Sequence, residues 1–170
     1  HTPYPAAPAV ALSWPLLGQL VVIGAAMALA TIAFIELTHR LKARLERHVR
    51  RLPLRLFIGG LALVFLWKAS GTNVYLGLGV PTILQAFGDP ELPTYAFAAK
   101  LVFTAVTIAS GFLGGEVTPL FFVGATLGSV LARIFGLPLE LGAGVGLAAV
   151  FGAAANTPLA LSIMAVELLG

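Results

Sequence analysis

From residue 101 to residue 132 the chain carries a single ionisable side chain, Glu116, set in Gly114-Gly115-Glu116-Val117-Thr118-Pro119. A charged carboxylate at a bilayer centre costs about 2.5–3.5 kcal/mol on insertion scales, so such a residue normally faces a cavity and has a task there. The surrounding composition makes the bilayer the relevant solvent. Hydrophobic residues are 59% of the 170 and charged residues 10%, with a mean hydropathy of +0.99, whereas soluble domains carry about 25% charged residues. The expectation is an all-α polytopic membrane bundle, residues 1–170 forming a single membrane domain.

Seven of the ten basic residues (Arg40, Lys42, Arg44, Arg47, Arg50, Arg51 and Arg55) fall within residues 40–55. Short loops rich in Lys and Arg stay on the cytoplasmic side, so this stretch is expected to be cytoplasmic. A nucleic-acid surface would instead need a basic face on a soluble domain, and no nucleic-acid partner is expected. With no cysteine there are no disulfides or thiolate metal sites. His39 and His48 are too far apart and too lightly accompanied to suggest a metal site. Neither a nucleophile–base pair nor a phosphate loop is visible, so no enzyme is expected.

Prolines and glycines divide the chain. After a proline-rich start (Pro3, Pro5, Pro8), residues 15–37 supply one full span, since about 20 residues cross a bilayer. Residues 38–51 should continue that helix into the cytoplasm. Residues 54–67 form a shorter apolar helix that can extend past a snorkelling Lys68, with Gly59-Gly60 permitting close approach to a neighbour. Residues 73–87 read as a loop and a short helix, residues 95–111 and 119–135 as further helices, and 141–154 and 158–169 as shorter closing ones. No amino-terminal signal pattern is visible. The chain starts at His1 and stops at Gly170 straight after an apolar stretch, so both ends read as cut and the chain as part of a larger transporter.

Short apolar helices broken by Gly and Pro point to a transporter's substrate site, because exposed backbone is tolerated at membrane depth only where it lines a cavity. Two breaks share one chemistry. At Thr118-Pro119 and at Thr157-Pro158 a hydroxyl residue occupies an expected N-cap and proline the first helical position. A helix start offers unpaired N–H donors and about half a positive charge, a natural place for an anion. The same pairs also occur at ordinary inter-helix loops, a reading that stays open for Thr157-Pro158 in particular. Gly111-x-x-x-Gly115, Gly124-x-x-x-Gly128 and Gly142-x-x-x-Gly146 allow close helix packing and identify no substrate. Lys100 is expected to be structural, by snorkelling or pairing in the bundle, and Arg133 to be met by its own helix end and headgroups.

The run Ser110-Gly111-Phe112-Leu113-Gly114-Gly115-Glu116-Val117-Thr118-Pro119, with Leu120-Phe121-Phe122-Val123-Gly124-Ala125-Thr126-Leu127-Gly128 after it, resembles a signature region of the CLC chloride channels and proton-coupled anion antiporters. Pro53-Leu54-Arg55, Gly59-Gly60, Gly77-Leu78-Gly79 and Ala99-Lys100-Leu101 upstream, and Ala153-Ala154-Ala155-Asn156-Thr157-Pro158-Leu159-Ala160 and Val166-Glu167 downstream, are similar to the order of elements in that family's second half. The resemblance implies the second half of an inverted-repeat transporter with broken, tilted helices. It further implies a homodimer with one anion pathway per subunit, in a cell membrane of prokaryotic type. Residues 16–37 and 158–169 would contribute to the dimer interface. Backbone amides at Glu116 and Val117 would hold the anion, flanked by Gly115 and Thr118. The family's serine-bearing loop, gating glutamate and late tyrosine have no counterpart in these residues.

Many chloride-carrying members show Gly-x-Phe-x-Pro, whereas Gly115-Glu116-Val117-Thr118-Pro119 has valine at the phenylalanine position and adds glutamate and threonine. This variant resembles the fluoride-exporting, proton-coupled branch. Fluoride is a strong hydrogen-bond acceptor, so a hydroxyl or a protonated carboxyl can replace part of its water shell, while an ionised Glu116 would repel it. Glu116 is thus the candidate for proton coupling. The expected cargo is a halide, fluoride or chloride, with protons. The alternative from another class is a non-transporting structural membrane subunit.

Overall fold

The structure, a computed structural model, describes residues 13–169 together with Pro5 and Ala11. Pro3 and Pro8 of the proline-rich start lie outside the described residues. Seven helices follow one another: α1 Trp14–His48, α2 Leu52–Ser70, α3 Val80–Gln85, α4 Ala96–Ala109, α5 Val117–Phe135, α6 Leu139–Ala154 and α7 Pro158–Leu169. Among the described residues there is no strand. The all-helical expectation holds, with α1, α2 and α5 long and apolar enough to cross a membrane.

Helix α1 starts where the Ser13 hydroxyl accepts from the Leu16 amide, beside Pro15 in the first turn. At 1.5 Å per residue its 35 residues reach about 52 Å, well beyond the roughly 30 Å of hydrocarbon in a bilayer, so its basic end projects from the apolar zone. Leu16, Ile23, Met27, Thr31, Phe34 and Thr38 are its buried residues. They recur at helical spacing and make one narrow stripe against α4 and α6. Thr31 spends its hydroxyl hydrogen within that stripe, donating to Met27 O at 2.9 Å. Residues 49–51 then turn the chain into α2, and Arg55 closes the turn on Glu46 at 2.9 Å. The left-handed Gly71 ends α2.

Helices α4 and α5 form a hairpin that enters and leaves at one end of the molecule. Arg133, in the last turn of α5, donates to Pro90 O (2.6 Å) and Leu92 O (3.1 Å) just before α4 begins. This corrects the expectation that its own helix end satisfies the guanidinium. With 14 residues, α4 is about 21 Å long, too short to cross, and residues 110–116 form the hairpin tip. Gln19 near the start of α1 donates to Phe135 O at 3.4 Å, which brings the beginning of α1 to the same end as the close of α5. The basic end of α1 and the start of α2 lie at the other.

Helix α5 is the centre of the bundle. Phe122 and Ala125 enter a core with Tyr75, Ile83, Phe87, Phe103 and Leu147, while Leu120, Val123 and Leu127 enter a second with Ile23, Met27, Phe34 and Val150. Helix α6 packs antiparallel on it. A Cβ at Gly124 would collide with the Gly146 carbonyl, and one at Gly128 with the Gly142 carbonyl, so the two small-residue repeats face each other. Gly111-x-x-x-Gly115 behaves differently: Gly111 (φ 95) lies in the tip rather than in a helix, and a Cβ there would meet the Leu52 side chain at the start of α2. Gly59 realises the expected close approach on α2, because a Cβ there would overlap Ser110.

Candidate functional site

The tip of the hairpin carries the signature. Val106 O accepts from the Ser110 amide at the end of α4, and Glu116 O accepts from the Leu120 amide at 3.1 Å at the start of α5. Glu116 is therefore the N-cap, and α5 begins two residues earlier than Pro119. The expected Thr118 cap is replaced because Pro119 at the third helical position still costs no hydrogen bond: the first N–H groups of a helix have no intrahelical partner in any case. Val117 and Thr118 contribute the free amides of this turn, and Pro119 has none to give.

Gly115, Glu116 and Val117 are exposed, Thr118 is half-buried, and Leu113 is fully exposed. The four residues singled out in the sequence are brought together as one turn open to the outside of this chain. Among the described residues the Glu116 carboxylate makes no hydrogen bond or ion pair, and so does not serve to tie down neighbouring backbone.

The second break adopts the expected form. Asn156 takes a left-handed conformation (φ 54) after α6, and Thr157 O accepts from the Leu161 amide at 3.2 Å as α7 begins at Pro158. Since α5 and α6 run antiparallel through Gly124–Gly146 and Gly128–Gly142, and the Phe121 and Phe151 rings meet edge-on at 5.2 Å, the start of α5 and the end of α6 lie at the same level. The two breaks thus share one depth. Glu167 on α7 is exposed.

Behind the signature a cavity of about 360 Å³ extends from the loop after α2 to Gly114, Gly115 and Pro119. Lys100, Thr104 and Thr107 of α4 line it, at the i, i+4, i+7 spacing that makes one helix face. Lys100 is only 2% exposed. Its ammonium donates to Tyr75 O (3.1 Å) and Gly77 O (2.6 Å) and stands 5.3 Å from the centre of the Phe122 ring. Pairing within the bundle, one of the two expected roles, is what it does. The polar stripe itself escaped the sequence reading, although three polar residues on one face of an apolar helix were a signal for it.

No group of three or more His, Asp or Glu able to hold a metal occurs among the described residues. The tip thus presents a carboxylate, the free amides of Val117 and Thr118 and the Thr118 hydroxyl in one turn.

Comparison with known proteins gives the family. The model of the voltage gated chloride channel family matches residues 1–170. A chloride/fluoride channel protein of Pseudomonas syringae pv. tomato (strain ATCC BAA-871 / DC3000) is 43% identical over 176 residues, covering 100% of this chain and 39% of that protein. The crystal structure of a CLC-type fluoride/proton antiporter superposes with a TM-score of 0.93 at 40% identity, over 98% of this chain and 42% of that one. The chain therefore spans about two fifths of the length of these relatives.

Proposed function

Since the chain belongs to the voltage gated chloride channel family, we propose that it is the second half of an integral, multi-pass CLC-type transporter that exchanges fluoride for protons. The observation that carries this reading is the exposed first turn of α5, starting inside an apolar hairpin with Glu116 at its cap and Thr118 two residues on. Two relatives whose names include fluoride support the choice of halide.

The anion sits against the helix start, where the partial positive charge and the amides of Val117 and Thr118 replace part of its water shell. Gly115 leaves the backbone accessible, and the Thr118 hydroxyl donates a further hydrogen bond. An ionised Glu116 would repel a halide in this turn. The carboxyl therefore carries a proton while the anion is bound and gives it up when the anion has left, which links the two movements. This is transport, with no bond of a substrate made or broken.

The working protein is a homodimer in a prokaryotic-type cell membrane, with residues 40–55 in the cytoplasm. Exposed Leu159, Ile163 and Val166 on α7, and Val21, Leu29 and Ile32 on α1, suit burial against lipid or a second subunit.

Reconstituting the full-length parent protein in proteoliposomes tests the reading, with fluoride efflux, chloride efflux and proton movement recorded together. Fluoride-selective, proton-linked flux is expected. Chloride flux without preference for fluoride would remove the halide assignment and retain the family role. Absence of anion flux in a well-assembled protein would leave a structural membrane subunit.

A further inference from the structure

Lys100 is a buried cation without a carboxylate partner among the described residues, in a part of the chain where charge is otherwise almost absent. Both ion pairs among the described residues, Arg40–Glu36 and Arg55–Glu46, lie in the basic region far along α1 and at the start of α2. The ammonium is neutralised only by carbonyl dipoles of Tyr75 and Gly77 and by the face of Phe122. Its three contacts join the loop after α2 to α4 and α5, so the charge is held rigidly beside the cavity that ends at Gly114 and Gly115.

Thr104 adds a second, independent observation. It is 8% exposed and lines the same cavity, yet its hydroxyl makes no hydrogen bond among the described residues. Thr107, one turn further in, spends its hydroxyl hydrogen on Phe103 O at 2.8 Å, so it has no donor left for an anion. The Thr104 hydroxyl opens into the cavity from a nine-tenths buried residue, where it can donate to water or to a ligand that accepts hydrogen bonds. Lys100 is the one cationic side chain among the residues that line the cavity, which excludes cations and favours anions.

Resting on the transport reading above, we propose that the Lys100–Thr104 face of α4 is the route by which a halide passes between the signature turn and the membrane face opposite the basic stretch. Lys100 is its positioning residue: it raises the local halide concentration and holds the loop wall at Tyr75 and Gly77. The route opens at the end where α2 stops and α4 begins, and residues 40–55 lie at the other end. A focused positive charge in a low-dielectric cleft raises the local concentration of an anion by about tenfold or more.

The test uses the full-length protein, with fluoride varied on one face at a time in oriented vesicles. Lys100→Met is expected to raise the half-saturating fluoride concentration about tenfold at the face opposite the basic stretch, with a much smaller change at the other face and in maximal rate. Added inert salt should weaken fluoride binding at that face in the unaltered protein and not in Lys100→Met. Thr104→Val is expected to raise the same half-saturation about threefold, the loss of one hydrogen bond.

An assembled Lys100→Met protein whose half-saturation is unchanged, or shifted equally at both faces, overturns the proposal. If Lys100→Met fails to assemble, exposed Leu78, which also lines the cavity, decides the matter. Leu78→Glu should raise and Leu78→Lys lower half-saturation at that face, and no effect of either overturns the route. Absence of halide flux in the unaltered protein is a separate result: it removes the transport reading and this route together.

Discussion

At the residue scale the proposed chemistry turns on one carboxyl group. Glu116 is the N-cap of α5, with no partner among the described residues. Glu116→Gln keeps the size and a hydrogen-bond donor and removes the exchangeable proton. In the full-length protein it should lower proton-linked fluoride flux at least tenfold, while the elution volume of the assembled protein stays unchanged. Equal proton flux in that variant would remove Glu116 from the coupling role. Arg133 belongs to the same scale and has a structural task. Arg133→Gln breaks its bonds to Pro90 O and Leu92 O, and hydrogen bonds from a charged donor contribute about 1.5–3 kcal/mol each before allowance for exposure. A loss of about 1–3 kcal/mol, read as a lower unfolding midpoint in detergent, is the expected outcome, with halide selectivity retained.

At the element scale the stability of the site depends on how closely α6 approaches α5. Backbone meets backbone at Gly124–Gly146 and Gly128–Gly142, so no flexible side chain can move aside for a new methyl group. Gly128→Ala should cost about 1–3 kcal/mol by overpacking, and Gly124→Leu should abolish assembly. Gly60→Ala on α2, where a Cβ meets nothing within 4 Å, is the matched control and should be tolerated. Thermal unfolding in detergent and the oligomer peak separate these outcomes. The repeats were legible in the sequence as packing motifs, but their pairing was not. Three Gly-x-x-x-Gly patterns looked equivalent in one dimension, and the structure uses two of them while Gly111 and Gly115 lie in a turn.

At the scale of the whole molecule, the ends of the helices sort into two groups. The start of α1, the end of α2, the start of α4 and the end of α5 are at one end, with the basic turn 49–51 at the other. This arrangement makes orientation testable with single cysteines, because the chain has none of its own. Under the positive-inside rule, Val49→Cys should react with a membrane-impermeant reagent only from the cytoplasmic face, and Gly88→Cys only from the opposite face. Labelling from the reverse sides would invert the proposed topology and the direction of the Lys100 route with it.

What the sequence determined alone was the class of solvent, the places where helices break and the residues of the signature. Each follows from local terms: the cost of charge in lipid, the missing N–H of proline and the freedom of glycine act within a few residues of their source. Element boundaries were legible to within two or three residues for the same reason, and α2, α5 and α6 each start two residues before the expected position; at α5 the tolerance of proline anywhere in the first turn moved the cap from the expected Thr118 to Glu116. Only the tertiary structure decided that the two broken helices start and stop at one depth, that Arg133 ties down the loop before α4, and that Lys100 meets the carbonyls of Tyr75 and Gly77. A buried ammonium takes its partners from whatever backbone the fold brings within about 3 Å, and residues 23 and 25 positions away in the chain are beyond the reach of any local rule.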